Sequence, residues 1–265
     1  MRCRMIGARP LPLLLFTIIS MLNLHSFAFA WYDGTHLAIA KAAGYKEWYN
    51  SAAADVAKTK AGNREGYNHY CNIPLCKTIT INDVFDQIPK YNSSKDSQGH
   101  LYGAIIVSLN SYIKGKVNNK YSEYSLAYMA HYVGDLSQPL HNMDYNDFNK
   151  EMHLRCDGVI DDEVLDNIIE IKKYMYTIII KEDTFQEDIS YAICNIANES
   201  RSLARRLELE KRTLTKMEAY RQLGHSASLL RGILNFVHSC RLDKLIWKTG
   251  PSRNKIEIEL STDTR

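Results

Sequence analysis

The 265-residue sequence predicts an all-α fold, a single multi-helix domain. Apolar residues recur at spacings of three and four along most of the chain, the mark of amphipathic helices. Alternation of period two is sparse, and Thr78 to Ile81 is the best short strand candidate. Gly and Pro fall between the periodic stretches, at Gly62 to Gly66, Pro74, 91–99 and Pro139.

Taken in chain order, residues 1–30 read as an export signal. They have a basic start (Met-Arg-Cys-Arg), an apolar run from Leu11 to Leu24 and a small-x-small ending at Ala28 and Ala30. Cleavage after Ala30 makes Trp31 the first mature residue. Helical periodicity then covers 35–43, 47–61, 100–114, 123–136, 162–180, 187–208 and 215–239. One domain is expected from Trp31 to about Lys248, followed by a polar, loosely held tail from Thr249 to Arg265. No stretch beyond the leader is long and apolar enough to span a bilayer, so the expected product is secreted or periplasmic, with no transmembrane segment after signal removal.

Charge and cysteine content narrow the function classes. Apart from Arg2, Arg4 and Arg9 in the leader, the 33 Lys and Arg balance the 30 Asp and Glu. That excludes a strongly basic protein that coats nucleic acid. Beyond the leader are Cys71, Cys76, Cys156, Cys194 and Cys240, an odd number whose spacings fit no common cysteine zinc motif. Cys71 with Cys76 and Cys194 with Cys240 are conceivable pairs.

Histidine and aspartate carry the chemistry. His131 and Asp135 are four apart, which on a helix places both on one face, a turn apart. Pro139 ends or kinks that helix, and His141 follows from the turn beyond. A second pair at the same spacing is His153 and Asp157. Just after it, Asp161-Asp162-Glu163 read as an acidic helix start favoured by the macrodipole. Upstream lie His36, Asp55 and His69. Each alone is an ordinary structural residue. Together they supply imidazole nitrogen and carboxylate oxygen without thiolate, a donor set that suits zinc with positions left open for water and substrate.

At these residues the chain resembles the zinc-dependent phospholipases C and the related single-strand-specific zinc nucleases. The shared pattern is an N-terminal Trp, a His, an Asp, a His-Tyr or His-Phe, an H-x-x-x-D-x5-H block and a final His four before an acid. Here these are Trp31, His36, Asp55, His69-Tyr70, His131/Asp135/His141 and His153/Asp157, in order, with HYVGDLSQPLH as the most specific segment. The resemblance covers Trp31 to Asp157. It implies three zinc ions: one on Asp55, His69, His131 and Asp135; a second on His141, His153 and Asp157; a third on His36, Asp135 and the free amine and carbonyl of Trp31. An α-amine has a pKa of about 8 and can donate a lone pair, whereas the amide of an uncut precursor is a poor donor. The third site is therefore expected to be complete only after leader cleavage. Hydrolysis of a phosphodiester by metal-bound hydroxide is implied, with Asp55 the candidate acceptor of the water's proton.

The chain sits between the two branches. Asn72 stands where the nucleases carry an acid, and the interval from His141 to His153 is short, as in the phospholipases. The five-residue step from Trp31 to His36 is closer to the nucleases, and Asn142 to Asn146 departs from the strict phospholipase signature. The leading expectation is a phospholipase C-type hydrolase with peripheral membrane contact, for which Met143, Tyr145 and Phe148 are candidate rim residues. The runner-up is a zinc nuclease or nucleotidase acting on single-stranded nucleic acid, with Tyr67, Tyr70, Tyr102, Tyr132 and Tyr145 as candidate stacking residues. A third reading is a non-catalytic zinc-binding exported protein.

Overall fold

The computed structural model describes residues 31–118 and 121–240. Residues 1–30, expected to be a leader, and the residues from 241 onward, including the polar tail, lie outside the described residues. Among the described residues the chain is all-α and contains no strand. The helices are α1 (Asp33–Ala43), α2 (Ala53–Ala61), α3 (Asn63–Gly66), α4 (Ile81–Gln87), α5 (Leu101–Val117), α6 (Glu123–Leu136), α7 (Asp147–Asp157), α8 (Asp161–Val164), α9 (Ile168–Lys173), α10 (Phe185–Glu210) and α11 (Lys216–Ser239).

Helix α6 lies at the centre. From Met129 to Leu136 every residue is buried, because α1, α2, α5, α10 and α11 all pack on it. A helix enclosed on all sides is ordinarily apolar throughout. The buried His131 and Asp135 break that rule, so the fold sinks two ionisable groups into its middle. Helix α5 packs along α6 and buries Leu101, Ile105, Leu109 and Ile113. Helices α10 and α11 close the other side, and capping boxes at Thr80/Asp83 and Thr215/Glu218 start α4 and α11.

Three local expectations are corrected. Thr78 to Ile81 is not a strand: Thr80 accepts from the Asp83 backbone N–H and opens α4. In that role the Thr hydroxyl outweighs short-range alternation. The first part of 47–61 is a 3-10 turn at Trp48–Asn50, and regular helix begins only at Ala53. The 162–180 stretch is not one helix. It divides into α8 and α9, and from Met175 to Lys181 it runs without regular structure along α11. Gly224 and Gly232 of α11 make room for it: a Cβ on Gly224 would sit 2.5 Å from Tyr174 Cβ, and one on Gly232 would sit 2.9 Å from the Ile178 carbonyl oxygen. Tertiary packing here overrides a periodicity that the isolated segment does satisfy. Neither conceivable cysteine pair forms; all five described thiols are unpaired.

Arg201 of α10 fastens the loops around the site. Its buried guanidinium donates to the carbonyls of Ile73 (3.0 Å), Lys77 (2.8 Å), Pro74 (2.5 Å) and Asn142. A planar fork of donors can reach several carbonyls at once, which a lysine ammonium cannot. Arg201→Met is expected to lower unfolding stability by about 3 kcal/mol, because it strands buried acceptors. Urea unfolding measures this, and a wild-type midpoint would show that the clamp contributes nothing.

Candidate metal centre

The residues singled out in the sequence come together around the C-terminal half of α6. His131 and Asp135 project from one face of α6, as their spacing requires. His36 comes from α1, Asp55 from α2, His69 from the loop after α3, His141 from the 3-10 turn Pro139–Asn142, and His153 and Asp157 from α7. Three groups form in which the donor atoms lie within 4.8 Å of one another: His36/His131/Asp135, Asp55/His69/His131 and His141/His153/Asp157. Each could hold a metal ion.

Asp135 joins them. Its Oδ2 lies 3.0 Å from His69 Nδ1 and 3.4 Å from His131 Nε2. Its Oδ1 lies 3.4 Å from His36 Nε2 and 3.5 Å from His141 Nδ1. Asp55 stands 3.7 Å from His69 Nδ1 and 3.8 Å from His131 Nε2. His153 Nε2 is 3.1 Å from His141 Nε2 and 3.5 Å from Asp157 Oδ2. Trp31, fully buried, lines a cavity of about 580 Å³ together with Asp55, Tyr32, Val56, Leu154 and Asp161. Asp55 is the ionisable member that faces this cavity: its side chain is 16% exposed, whereas that of Asp135 is fully buried.

Several donor atoms face inward without a well-formed hydrogen bond among the described residues. They include both ring nitrogens of His36, Oδ1 of Asp135 and Oδ2 of Asp157. Buried polar atoms are rarely left so, and a cation would satisfy them. His36 lies against α6 where Gly134 has no side chain; a Cβ there would fall 2.5 Å from His36 Nδ1. Its ring stacks on His131 with centroids 3.7 Å apart.

A supporting layer sets the tautomers. His131 Nδ1 is 2.8 Å from the Ser51 carbonyl, which can only accept, so Nε2 faces Asp135 and Asp55. His153 Nδ1 is 2.7 Å from Asn149 Oδ1, and Asn149 is oriented by donating to the Leu140 carbonyl at 2.8 Å. Gln138 donates to Asp157 and accepts from the Leu140 N–H. Asn142 donates to the carbonyls of Leu136 (2.9 Å) and Gln138 (2.8 Å) and shapes the turn that carries His141. Such outer partners orient metal-binding side chains. Lys58, one helical turn after Asp55, places its nearly buried ammonium 2.8 Å from Asp55 Oδ1.

This supporting layer is only partly legible in the sequence. The i,i+4 step from Asn149 to His153 and the i,i+3 step from Asp55 to Lys58 were visible signals, but the Ser51 carbonyl leaves no side-chain trace. The other described histidines stand apart: His100 Nε2 lies 2.9 Å from Asn68 Oδ1, His225 meets Tyr176 edge-on, and His238 is exposed. Some candidate substrate-facing residues are also corrected. Met143, Tyr102 and Tyr132 are fully buried, because the apolar core claims them, and so offer no lipid rim or stacking surface.

The charges are opposed. Burial pushes Asp135 upward, but His131, His141 and His36 outweigh it and hold the carboxyl well below the usual range. At Asp55 burial also raises the pKa, and His131, His69 and Lys58 overcome it. Burial pushes Asp157 well up, since the Gln138 amide offsets only part of the desolvation. His36 is lowered by burial and by neighbouring His131. Burial also lowers His131, yet Asp135 and Asp55 carry it to about 9.

Comparison with protein-family models and with curated proteins finds no match.

The raised His131 value has a measurable consequence. Before metal enters, the imidazolium stabilises the fold fully below its ordinary pKa of 6.5, and that contribution disappears as pH rises through about 9. A metal ion must displace this proton. Metal uptake at pH 7 is therefore expected to release protons, and apparent affinity should rise with pH until about 9. Calorimetry in buffers of different ionisation enthalpy reads this; heats independent of the buffer would contradict it.

Proposed function

We propose that the chain is a secreted zinc-dependent phosphodiester hydrolase of the phospholipase C type, related to the family its motif resembles. The observation that carries this reading is the meeting of three nitrogen-and-carboxylate donor groups, two of them sharing His131 and each with a member within 3.5 Å of Asp135, beside a cavity that reaches Asp55 and Trp31. Donor sets free of sulfur and rich in imidazole favour zinc among the common hydrolytic metals. Zinc held there supplies a Lewis acid that lowers the pKa of coordinated water towards about 7.

The chain's own residues have separable roles. Asp135, His36, His69, His131 and Asp55 would hold the metals on the α6 side, and the Trp31 amine and carbonyl would complete the site nearest the chain start. His141, His153 and Asp157 would hold the ion on the α7 side. Asp55, which lines the cavity, is the candidate acceptor of the water's proton. Lys58 steadies the Asp55 carboxylate through its 2.8 Å contact.

The cavity lining favours lipid over nucleic acid. Tyr32, Val56 and Leu154 are exposed apolar groups at its mouth, and its charged lining is Asp33, Asp55 and Asp161. A polynucleotide would bring flanking phosphates against these carboxylates, whereas a phospholipid brings one phosphodiester and apolar surface.

Mature protein is expected to contain three zinc ions per chain and to cleave phosphatidylcholine in preference to single-stranded DNA. Metal analysis and parallel assays on both, with bis-nitrophenyl phosphate as a generic diester substrate, test this. Preferential DNA cleavage would move the protein to the nuclease branch. Three bound zinc ions without turnover of any substrate would leave the non-catalytic reading. Lys58→Met is expected to lower kcat by about tenfold or more, the usual scale for loss of a partner that orients a metal-binding side chain.

A further inference from the structure

We infer that Asp161 is a positioning residue that locks the Trp31–His36 end of the site onto the segment following α7. Its sequence context reads as a helix-start acid, but its carboxylate serves a different helix. The N-cap of α1 is Tyr32, which makes no side-chain capping bond. Asp161 Oδ1 supplies that cap from across the fold, accepting from the Thr35 backbone N–H at 3.0 Å and from Thr35 Oγ1 at 3.2 Å. Thr35 is the third helical residue, where a local N-cap side chain would ordinarily bond.

Gly34 is shaped to the same contact. A Cβ on it would lie 2.8 Å from Asp161 Oδ1 and 3.3 Å from the Asp161 carbonyl oxygen. Thr35 is fully buried and immediately precedes His36, and Asp161 borders the cavity that Trp31 and Asp55 line. Asp161 also follows Asp157 by four residues, across the Gly158 C-cap of α7. One carboxylate thus ties the chain segment offering Trp31 and His36 to the segment offering His153 and Asp157. Its two bonds set the entry angle of α1, and so where the Trp31 amine and the His36 ring stand relative to Asp135.

The inference rests on the proposed three-zinc reading, and the test separates the two. Zinc per chain and stepwise affinity are measured by chelator competition on mature wild-type protein, Asp161→Ala, Asp161→Asn and Gly34→Ala. Wild type is expected to hold three ions. Asp161→Ala should bind the weakest of them about tenfold or more less tightly, the usual scale for loss of an outer partner. Asp161→Asn should keep all three, because its amide oxygen accepts the same two bonds. Gly34→Ala should behave like Asp161→Ala: the new methyl displaces the end of a flexible side chain, and alanine favours the helix, so the fold survives even where Asp161→Ala does not. A cap that serves stability alone would lower the melting temperature while leaving the three affinities in wild-type proportion, which overturns the inference. Equal loss in Asp161→Asn and Asp161→Ala also overturns it. Fewer than three ions on wild type overturns the functional reading itself, and the inference with it.

Discussion

The fold is organised around one buried carboxylate. Asp135 has His36, His69, His131 and His141 within 3.5 Å of its two oxygens, and its side chain is fully buried. A charge so desolvated is costly unless cations or hydrogen-bond donors compensate it. The imidazoles provide that compensation by sharing protons, and a divalent ion would do so by direct ligation. Since the five residues come from α1, the loop after α3, α6 and the 3-10 turn, the electrostatic requirement at one atom group constrains how these elements pack.

Two equally buried acids, Asp135 and Asp157, show that environment, not residue type, sets the local charge. Asp135 is held ionised by its ring of imidazoles, whereas Asp157, equally buried, is pushed towards its neutral form. Gln138 is a neutral donor and cannot replace a cation. A metal ion on the α7 side would therefore change the ionisation of Asp157 more than that of Asp135, where positive charge is already gathered.

Rigidity comes from side-chain amides and one guanidinium rather than from regular structure. His69 and His141 both lie outside the long helices, where backbone alone would leave them loosely placed. Asn142 and Gln138 close the turn carrying His141, and Arg201 joins that turn to the 73–77 loop through main-chain carbonyls. The Cys71 N–H donates to the His141 carbonyl at 2.7 Å, which links the turn to the segment just after His69. The site is thus braced by polar contacts that the apolar core encloses.

What the sequence alone determined is what local periodicity and covalent spacing can encode. The all-α class, the boundaries of α6 and the common face of His131 and Asp135 follow from the 3.6-residue repeat, and the ordered motif marked every residue that gathers around Asp135. Only the tertiary structure decided the rest. The 162–180 segment satisfies helical periodicity, yet Gly224 and Gly232 let its second half lie unwound along α11. Thr80 turns an apparent strand into a helix start. Ser51 and Asp161 act through contacts that depend on where distant segments meet. A one-dimensional pattern records which side chains a residue has beside it along the chain. It does not record a carbonyl or carboxylate brought in from a hundred residues away, because that proximity arises only when the core closes.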